Sequence, residues 1–410
     1  MLTNHPAPRN LHCELCTLLP GKTIVLQLLN GLFNGLSTGS VLLMAALGLS
    51  IVFGLMGVIN LAHGELMMIG AYTTYVVQNG FKALDSPLLL NTYILFALPA
   101  AFLVAGLFGL VLERGVIRYL YGRPLETLLA TWGVSLILQQ FVRSVSWVMV
   151  ISVALFCLLY FGAIWILKNR PNWEQIRRWA SALILPLSLG IATTVGVLLL
   201  NTKNPFLTRP WFSARNVDVT APEWLRGGFR IATIQLPYAR LFIIVLTAIC
   251  VAGLYWFLNR SSWGLRIRSV MQNRTMSACL GIPTEKVDAL TFFLGSGLAG
   301  IAGCAITLLG SVGPNLGSNY IIDTFLVVVV GGVGKIVGTI VAAMSIGTID
   351  YLISSKSLIP FVESIEPLRQ FFDFVGTSSM SKVMVFSLII VFLQVRPAGL
   401  FPQKGRTVDA

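Results

Sequence analysis

Five long stretches of this sequence carry no charged side chain at all: 23–64, 86–112, 127–142, 144–167 and 179–202. A helix needs about 20 mainly apolar residues to cross a bilayer, and no water-soluble core explains so many runs of that length. The expected fold is therefore all-α, a polytopic transmembrane bundle of about 10–12 spans that includes short or re-entrant broken helices. Composition agrees: 56% of residues are apolar and 11% are charged, against roughly a quarter charged in ordinary globular domains.

A net charge of +13 would suggest a nucleic-acid partner in a soluble protein. Here Lys and Arg gather in short segments between apolar runs, as the bias for positive cytoplasmic loops predicts. Segment 113–126 holds Arg114, Arg118 and Arg123, and segment 259–288 holds Arg260, Arg266, Arg268, Arg274 and Lys286; both read as cytoplasmic. Candidate spans near 127–143, 145–167, 179–200 and 241–258 separate them, and four crossings return the chain to the same side. This count leaves the basic loop 203–240 outside, because long loops obey the charge bias less strictly. Segment 354–381 reads as external, and a last span near 383–395 ends at Arg396. The organisation that follows is a cytoplasmic N-terminal tail at 1–23, a transmembrane domain at 24–400, and a cytoplasmic C-terminal tail at 401–410. The N-terminal segment is read as retained, since the apolar run after it exceeds a signal-peptide core and no small-residue cleavage site is evident.

Two runs are too long for one helix and rich in glycine: 23–64, with an expected break around Gly35 and Gly39, and 325–353, with one at Gly331, Gly332 and Gly334. Unwound backbone is tolerated at membrane depth only where it is buried or lines a cavity, so such breaks point to a solute path. The competing reading is a glycine-rich face for close helix packing. Ser296, Gly300 and Cys304, at every fourth position, read as such a packing face.

Few residues suggest chemistry. Of six cysteines, Cys157, Cys250 and Cys304 lie in apolar runs and behave as small hydrophobes. Cys13 and Cys16 form a C-x-x-C beside His12 without the second ligand pair a metal site requires, so no metal site is assigned. The string Gly331 to Lys335 resembles the end of a phosphate-binding loop, but Ile336 stands where Ser or Thr must reach magnesium, which excludes nucleotide binding there. Lys335 then belongs at an aqueous boundary, because a cation at a helix centre costs about 2.5–3.5 kcal/mol. Asn60, His63 and Glu65 sit together in apolar sequence. The carboxylate needs a partner, and a proton relay, a substrate contact and a structural hydrogen-bond knot with His63 all fit. With three histidines, two of them in the tail, no catalytic constellation can be assembled, and the chain is not read as an enzyme.

The string Gly57-Val58-Ile59-Asn60-Leu61-Ala62-His63-Gly64-Glu65, followed by Gly70-Ala71-Tyr72, resembles permeases of the branched-chain amino acid ABC importer family. Segment 271–288 and the run from Val330 to Gly338 resemble that family's coupling loop and late glycine signature. Gly70 to Gln78, Pro222 to Leu225 and Gly310 to Gly317 look most like the urea permease of the family. The resemblance covers most of 24–400. It implies a permease subunit that moves a small polar solute, urea or else a branched-chain or other amino acid or amide, by alternating access. It also implies a second homologous permease, two cytoplasmic ATPases that use ATP and magnesium, a soluble solute-binding protein, and a multi-pass place in the bacterial inner membrane. No cofactor is expected in this chain.

Uncharged polar side chains suit a path for such a solute, which makes Asn30, Asn34, Ser37, Thr38, Asn60, Gln139, Thr307 and Ser311 candidates together with His63 and Glu65. Most of them could instead be interhelical hydrogen bonds, worth about 0.6 kcal/mol on average. By resemblance, Arg274, Ala278, Gly281 and Ile282 are candidates for transmitting ATPase closure. The chain departs from the family at 144–213, where two extra apolar runs intervene; an even number of crossings leaves later loops on their original side, and a peripheral hairpin facing lipid or an accessory chain is expected. A proton-coupled carrier using Glu65 is the reading from another class.

Overall fold

The computed structural model describes residues 20–83, 87–168, 173–202, 211–212, 216–231, 234–357, 359 and 366–401. The helices in chain order are α1 (Pro20–Met56), α2 (His63–Lys82), α3 (Pro87–Gly115), α4 (Pro124–Ser144), α5 (Trp147–Lys168), α6 (Trp173–Asn201), α7 (Tyr238–Arg260), α8 (Ser262–Gln272), α9 (Arg274–Cys279), α10 (Thr284–Ile306), α11 (Leu316–Gly331), α12 (Ile336–Ser354), α13 (Glu366–Val375) and α14 (Ser378–Val395). Between α6 and α7, strands β1 (Gly228–Ile231) and β2 (Ile234–Pro237) pair antiparallel, with Phe229 opposite Leu236. Among the described residues, eight helices are long and apolar enough to cross a bilayer, or nine if the bent pair Arg369–Val375 and Met380–Val395 counts as one span. The 16 residues of α11 reach only about 24 Å at 1.5 Å per residue, short of a full crossing. The chain is a polytopic helical bundle that includes short helices.

Small residues set the packing. Helix α10 lies against α1, α2 and α3, and a Cβ on Gly300 would stand 2.3 Å from the Ala101 carbonyl oxygen of α3. Ser296 fills the space beside Gly109, and Cys304 is buried, so the Ser296, Gly300, Cys304 stripe is a packing face.

The expected break at Gly35 and Gly39 is absent: α1 is continuous through both. With Gly31 these glycines form a face at every fourth residue, and α12 presses on it. A Cβ on Gly31, Gly35 or Gly39 would lie 2.8 Å from Leu352 Cδ2, 2.8 Å from Thr348 Cα or 2.9 Å from the Ala343 oxygen. Glycine at this spacing lets two helix backbones meet instead of ending a helix. The break falls at Gly57, which holds a left-handed φ of +66°. The second expected break is present. There α11 ends at Gly331, Gly332 and Gly334 adopt φ +95° and +73°, and Leu400 N–H donates to the Val330 oxygen (2.8 Å) to close the turn. Lys335 is exposed on that turn.

The two ends of the bundle differ in charge. Gly54 lies beside Met271 and Gly334, and Met56 receives a hydrogen bond from Tyr121, which gathers both basic segments and the glycine turn at one end. At the other end Arg240 Nη1 donates to the Asn34 oxygen (3.1 Å). One unbroken crossing thus puts Pro20 at the end opposite Arg118 and Arg274; of the tail expected to be cytoplasmic at 1–23, residues 20–23 are the start of α1, and the rest, with the Cys13 and Cys16 pair, lies outside the described residues. Helices α5 and α6 pack on each other; no residue of the best apolar window of α5 is buried, and 11% of that of α6 is.

Candidate functional site

The chain folds back where α1 ends. Asn60 Oδ1 accepts from Ala62 N–H (3.1 Å), the Asn60 carbonyl accepts from His63 N–H (3.3 Å), and Leu61 N–H donates to Thr131 Oγ1 on α4 (3.2 Å). His63 Nε2 then lies 3.1 Å from the carbonyl oxygen of Ala45. Ala45 precedes Met56 by about 16 Å of helix at 1.5 Å per residue, so α2 begins deep along α1 and not at its end. A Cβ on Gly64 would stand 2.4 Å from the Gly317 oxygen, which means the first turns of α2 and α11 touch backbone to backbone.

Glu65 occupies that crossing and is 1% exposed. Its Oε1 accepts from Gln139 Nε2 (2.8 Å), Ser135 Oγ (3.0 Å) and Ser318 Oγ (3.4 Å), and Gln139 also donates to Ser318 (2.6 Å). Oε2 has no hydrogen-bond partner among the described residues and lies beside Gly317. A buried carboxylate without a direct ion pair is tolerated here because it accepts several hydrogen bonds, stands at the positive ends of two helices, and feels the charge of Arg143 one turn beyond Gln139 on α4.

His63 is not its partner, contrary to the expectation of a local knot. Residues two apart on a helix point to different sides, and His63 turns to α1. Ser318 comes from α11, and the other two partners come from a polar stripe on α4, in which Thr127, Thr131, Ser135, Gln139 and Arg143 recur at every fourth position. Sequence reading selected Gln139 alone; the four-residue period through an otherwise apolar helix was the available signal.

The same stripe leads outward to a cavity of about 480 Å³ lined by Arg143, Asn216, Ser311, Asn315, Asn319 and Tyr320, among others. Arg143 Nη2 donates to Asn315 Oδ1 (2.6 Å), and Ser311 Oγ accepts from Asn216 Nδ2 (3.3 Å). The loop is held by paired bonds between Val217 and Val312, both 2.8 Å.

Asn60, His63, Glu65 and Gln139 are thus brought together, with Ser311 in the neighbouring cavity. The remaining path candidates are not. Thr307 is buried at the end of α10 and donates to the Cys304 oxygen (2.7 Å). Asn34 donates to Asn30 (2.9 Å), and Thr38 donates to the Asn34 oxygen (3.1 Å). Ser37 Oγ is buried with no partner among the described residues. Asn30 and Asn34 line a separate cavity of about 430 Å³ with Tyr351 and Lys356.

At the basic end, α9 and the turn after it divide their residues between two tasks. Ala278 and Gly281 are exposed, with Gly281 at φ +79° and open space around it. Ile282 closes the turn through its N–H to the Ser277 oxygen (3.1 Å) and packs on the core. Arg274 points inward, donating twice to the fully buried Asp288 (3.1 and 2.5 Å) and lying 4.8 Å over the Tyr121 ring. Tyr121, whose phenol burial pushes well above its ordinary pKa, donates to Met56 Sδ (3.2 Å) and reaches Glu113 Oε1 (3.5 Å). Arg118 pairs with Glu285 alongside. The exposed face of α9 is therefore tied, through one arginine, to the end of α1 and the start of α10.

Comparison with known proteins adds a sequence-wide likeness. Residues 31–393 match the family described as branched-chain amino acid transport system / permease component. The chain is 25% identical over 377 residues to the high-affinity branched-chain amino acid transport permease protein BraD of Pseudomonas aeruginosa, covering 91% of this chain and 95% of that one. It is 24% identical over 379 residues to the corresponding protein LivH of Escherichia coli, covering 92% and 96%. A shorter likeness, 30% over 104 residues, joins it to the ribose import permease protein RbsC of Bacillus subtilis, over 24% of this chain and 32% of that one. No solved structure matches the chain.

Proposed function

Because the chain belongs to the family of permease components of branched-chain amino acid transport systems, we propose that it forms the membrane path by which an ATP-driven importer takes up a branched-chain or other small apolar amino acid. The family makes it a multi-pass transport subunit of the bacterial inner membrane, with ATP hydrolysis in separate subunits and a solute-binding protein as a further partner. The observation that carries the amino-acid reading is the match over 31–393, together with near full-length relatives named for branched-chain amino acids. Urea, which the strings Gly70 to Gln78 and Gly310 to Gly317 suggest, is the weaker reading beside it.

The mechanism we propose is alternating access. A second homologous permease completes the path, and two ATPases close beneath the pair. The exposed face of α9 and the turn after it, with Ala278 and Gly281, docks on an ATPase. Arg274 carries the movement to Asp288, Tyr121 and Met56, hence to the fold-back at residues 57–62 and the crossing of α2 and α11. Glu65 serves that crossing as architecture; its acceptor Oε1 is fully used by neutral donors, which supports a fixed joint over a proton carrier. The outward apolar faces of α5 and α6 suit lipid.

Competition tests the solute. Uptake of labelled leucine by cells that contain the complete importer should fall with excess unlabelled leucine or isoleucine and be unchanged by excess urea. Suppression by urea, with labelled urea accumulating, would replace the amino-acid reading.

A further inference from the structure

We infer that the cavity beside Arg143 is a carboxylate-reading subsite, in which the Arg143 guanidinium holds the α-carboxylate of an amino acid and the apolar wall takes its side chain. This deepens the amino-acid reading and rests on it. The cavity's about 480 Å³ lies in the range of roughly 300–1,000 Å³ typical of small-ligand sites.

Its chemistry is one-sided. Arg143 is the one ionic group lining it, and no acidic residue does so. Among the described residues Arg143 has no carboxylate partner, and one hydrogen bond, to Asn315 Oδ1, engages its five-donor fork,. Asn315 stands at the N-cap of α11 without capping it, because that oxygen is committed to Arg143. The guanidinium is therefore held in place by a neutral amide, and its charge, which also acts through space on Glu65 and Tyr72, is not taken up by a direct ion pair among the described residues. Around it, Asn216 and Asn319 offer carboxamide oxygens for an ammonium group, and Ile306, Leu309 and Leu316 offer apolar surface. A planar fork suits a carboxylate bidentately, whereas neutral urea offers one carbonyl oxygen and no opposite charge and so gains less from it.

The test measures inhibition of labelled leucine uptake by unlabelled leucine and by isovalerate, which keeps the carboxylate and the branched body, and by isovaleramide, which loses the charge. In wild type, isovalerate should inhibit at least about tenfold better than isovaleramide, the worth of one charge-assisted contact. In Arg143→Gln that preference should vanish, with leucine uptake itself reduced about ten- to a hundredfold at low solute, while Arg143→Lys keeps part of both. ATPase stimulation by the loaded binding protein and elution of the purified complex report whether the variant is assembled. If Arg143→Gln assembles and retains both the preference and the uptake, the subsite is wrong while the amino-acid reading stands. If both inhibitors weaken equally in Arg143→Gln, the arginine is a structural prop and the subsite is again wrong. If wild type takes up no leucine, the amino-acid reading fails and takes the subsite with it.

Discussion

Arg274→Ala should abolish ATP-driven uptake and lower the stability of the chain by about 3 kcal/mol. Asp288 is fully buried and takes both its strong bonds from this one guanidinium, which is itself 39% exposed. Removing the cation strands a carboxylate out of water, a change that costs about 3–5 kcal/mol for a wholly buried pair; the partial exposure of Arg274 places the effect at the lower end. The variant also loses the stack on Tyr121, and with it the link from α9 to Met56. Replacing both partners by neutral groups, Arg274→Gln with Asp288→Asn, should restore most of the thermal stability in detergent, because neither position is left as a buried charge stripped of its partner. It should not restore uptake if the charged, bidentate pair transmits the movement of α9. A double variant as active as wild type would reduce the pair to a structural prop.

Gly64→Val should prevent formation of a stable, monodisperse protein. The added Cβ would lie 2.4 Å from the Gly317 oxygen, 2.9 Å from the Gly317 carbonyl carbon and 2.9 Å from Ile321 Cβ. Most of these obstacles are backbone, so no rotamer change can clear them, and the cost exceeds the about 1–3 kcal/mol of ordinary overpacking. The crossing of α2 and α11 would open and Glu65 would lose Ser318. Gly80→Ala is the control: it lies on the same helix with nothing within 4 Å and should leave stability unchanged or raise it by about 0.5–1 kcal/mol through helix propensity. Thermal unfolding and elution profile in detergent compare the two, and a Gly64→Val protein that matched Gly80→Ala would show that the close crossing is not required.

The spans were legible because exclusion of charge over 20 or more residues has one physical cause in a chain of this size. Glycine was legible only when its spacing was weighed. Gly331, Gly332 and Gly334 crowd into one turn and end a helix, whereas Gly31, Gly35 and Gly39 recur at one face and hold α12 close. The need of Glu65 for partners could be read from its apolar surroundings, but not their identity, since Ser135, Gln139 and Ser318 lie 70, 74 and 253 residues away in sequence. His63 was the neighbour in sequence and proved to serve α1. In the same way Arg274 sits in a segment that resembles a coupling loop, yet its place as an inward anchor depends on Asp288 and Tyr121, brought to it only by folding. Polar residues of α1 such as Asn30, Asn34 and Thr38 satisfied one another along their own helix, which a list of uncharged polar side chains cannot reveal.

The proposed function has this chain move an amino acid only when partner ATPases drive it. Labelled leucine uptake into membrane vesicles holding the permease, the solute-binding protein and the ATPases, compared with vesicles lacking the ATPases, tests it most directly. Accumulation should require the ATPases and ATP and persist when the proton gradient is collapsed. Uptake that continues without the ATPases, or that disappears with the proton gradient and in Glu65→Gln, would contradict the proposed function.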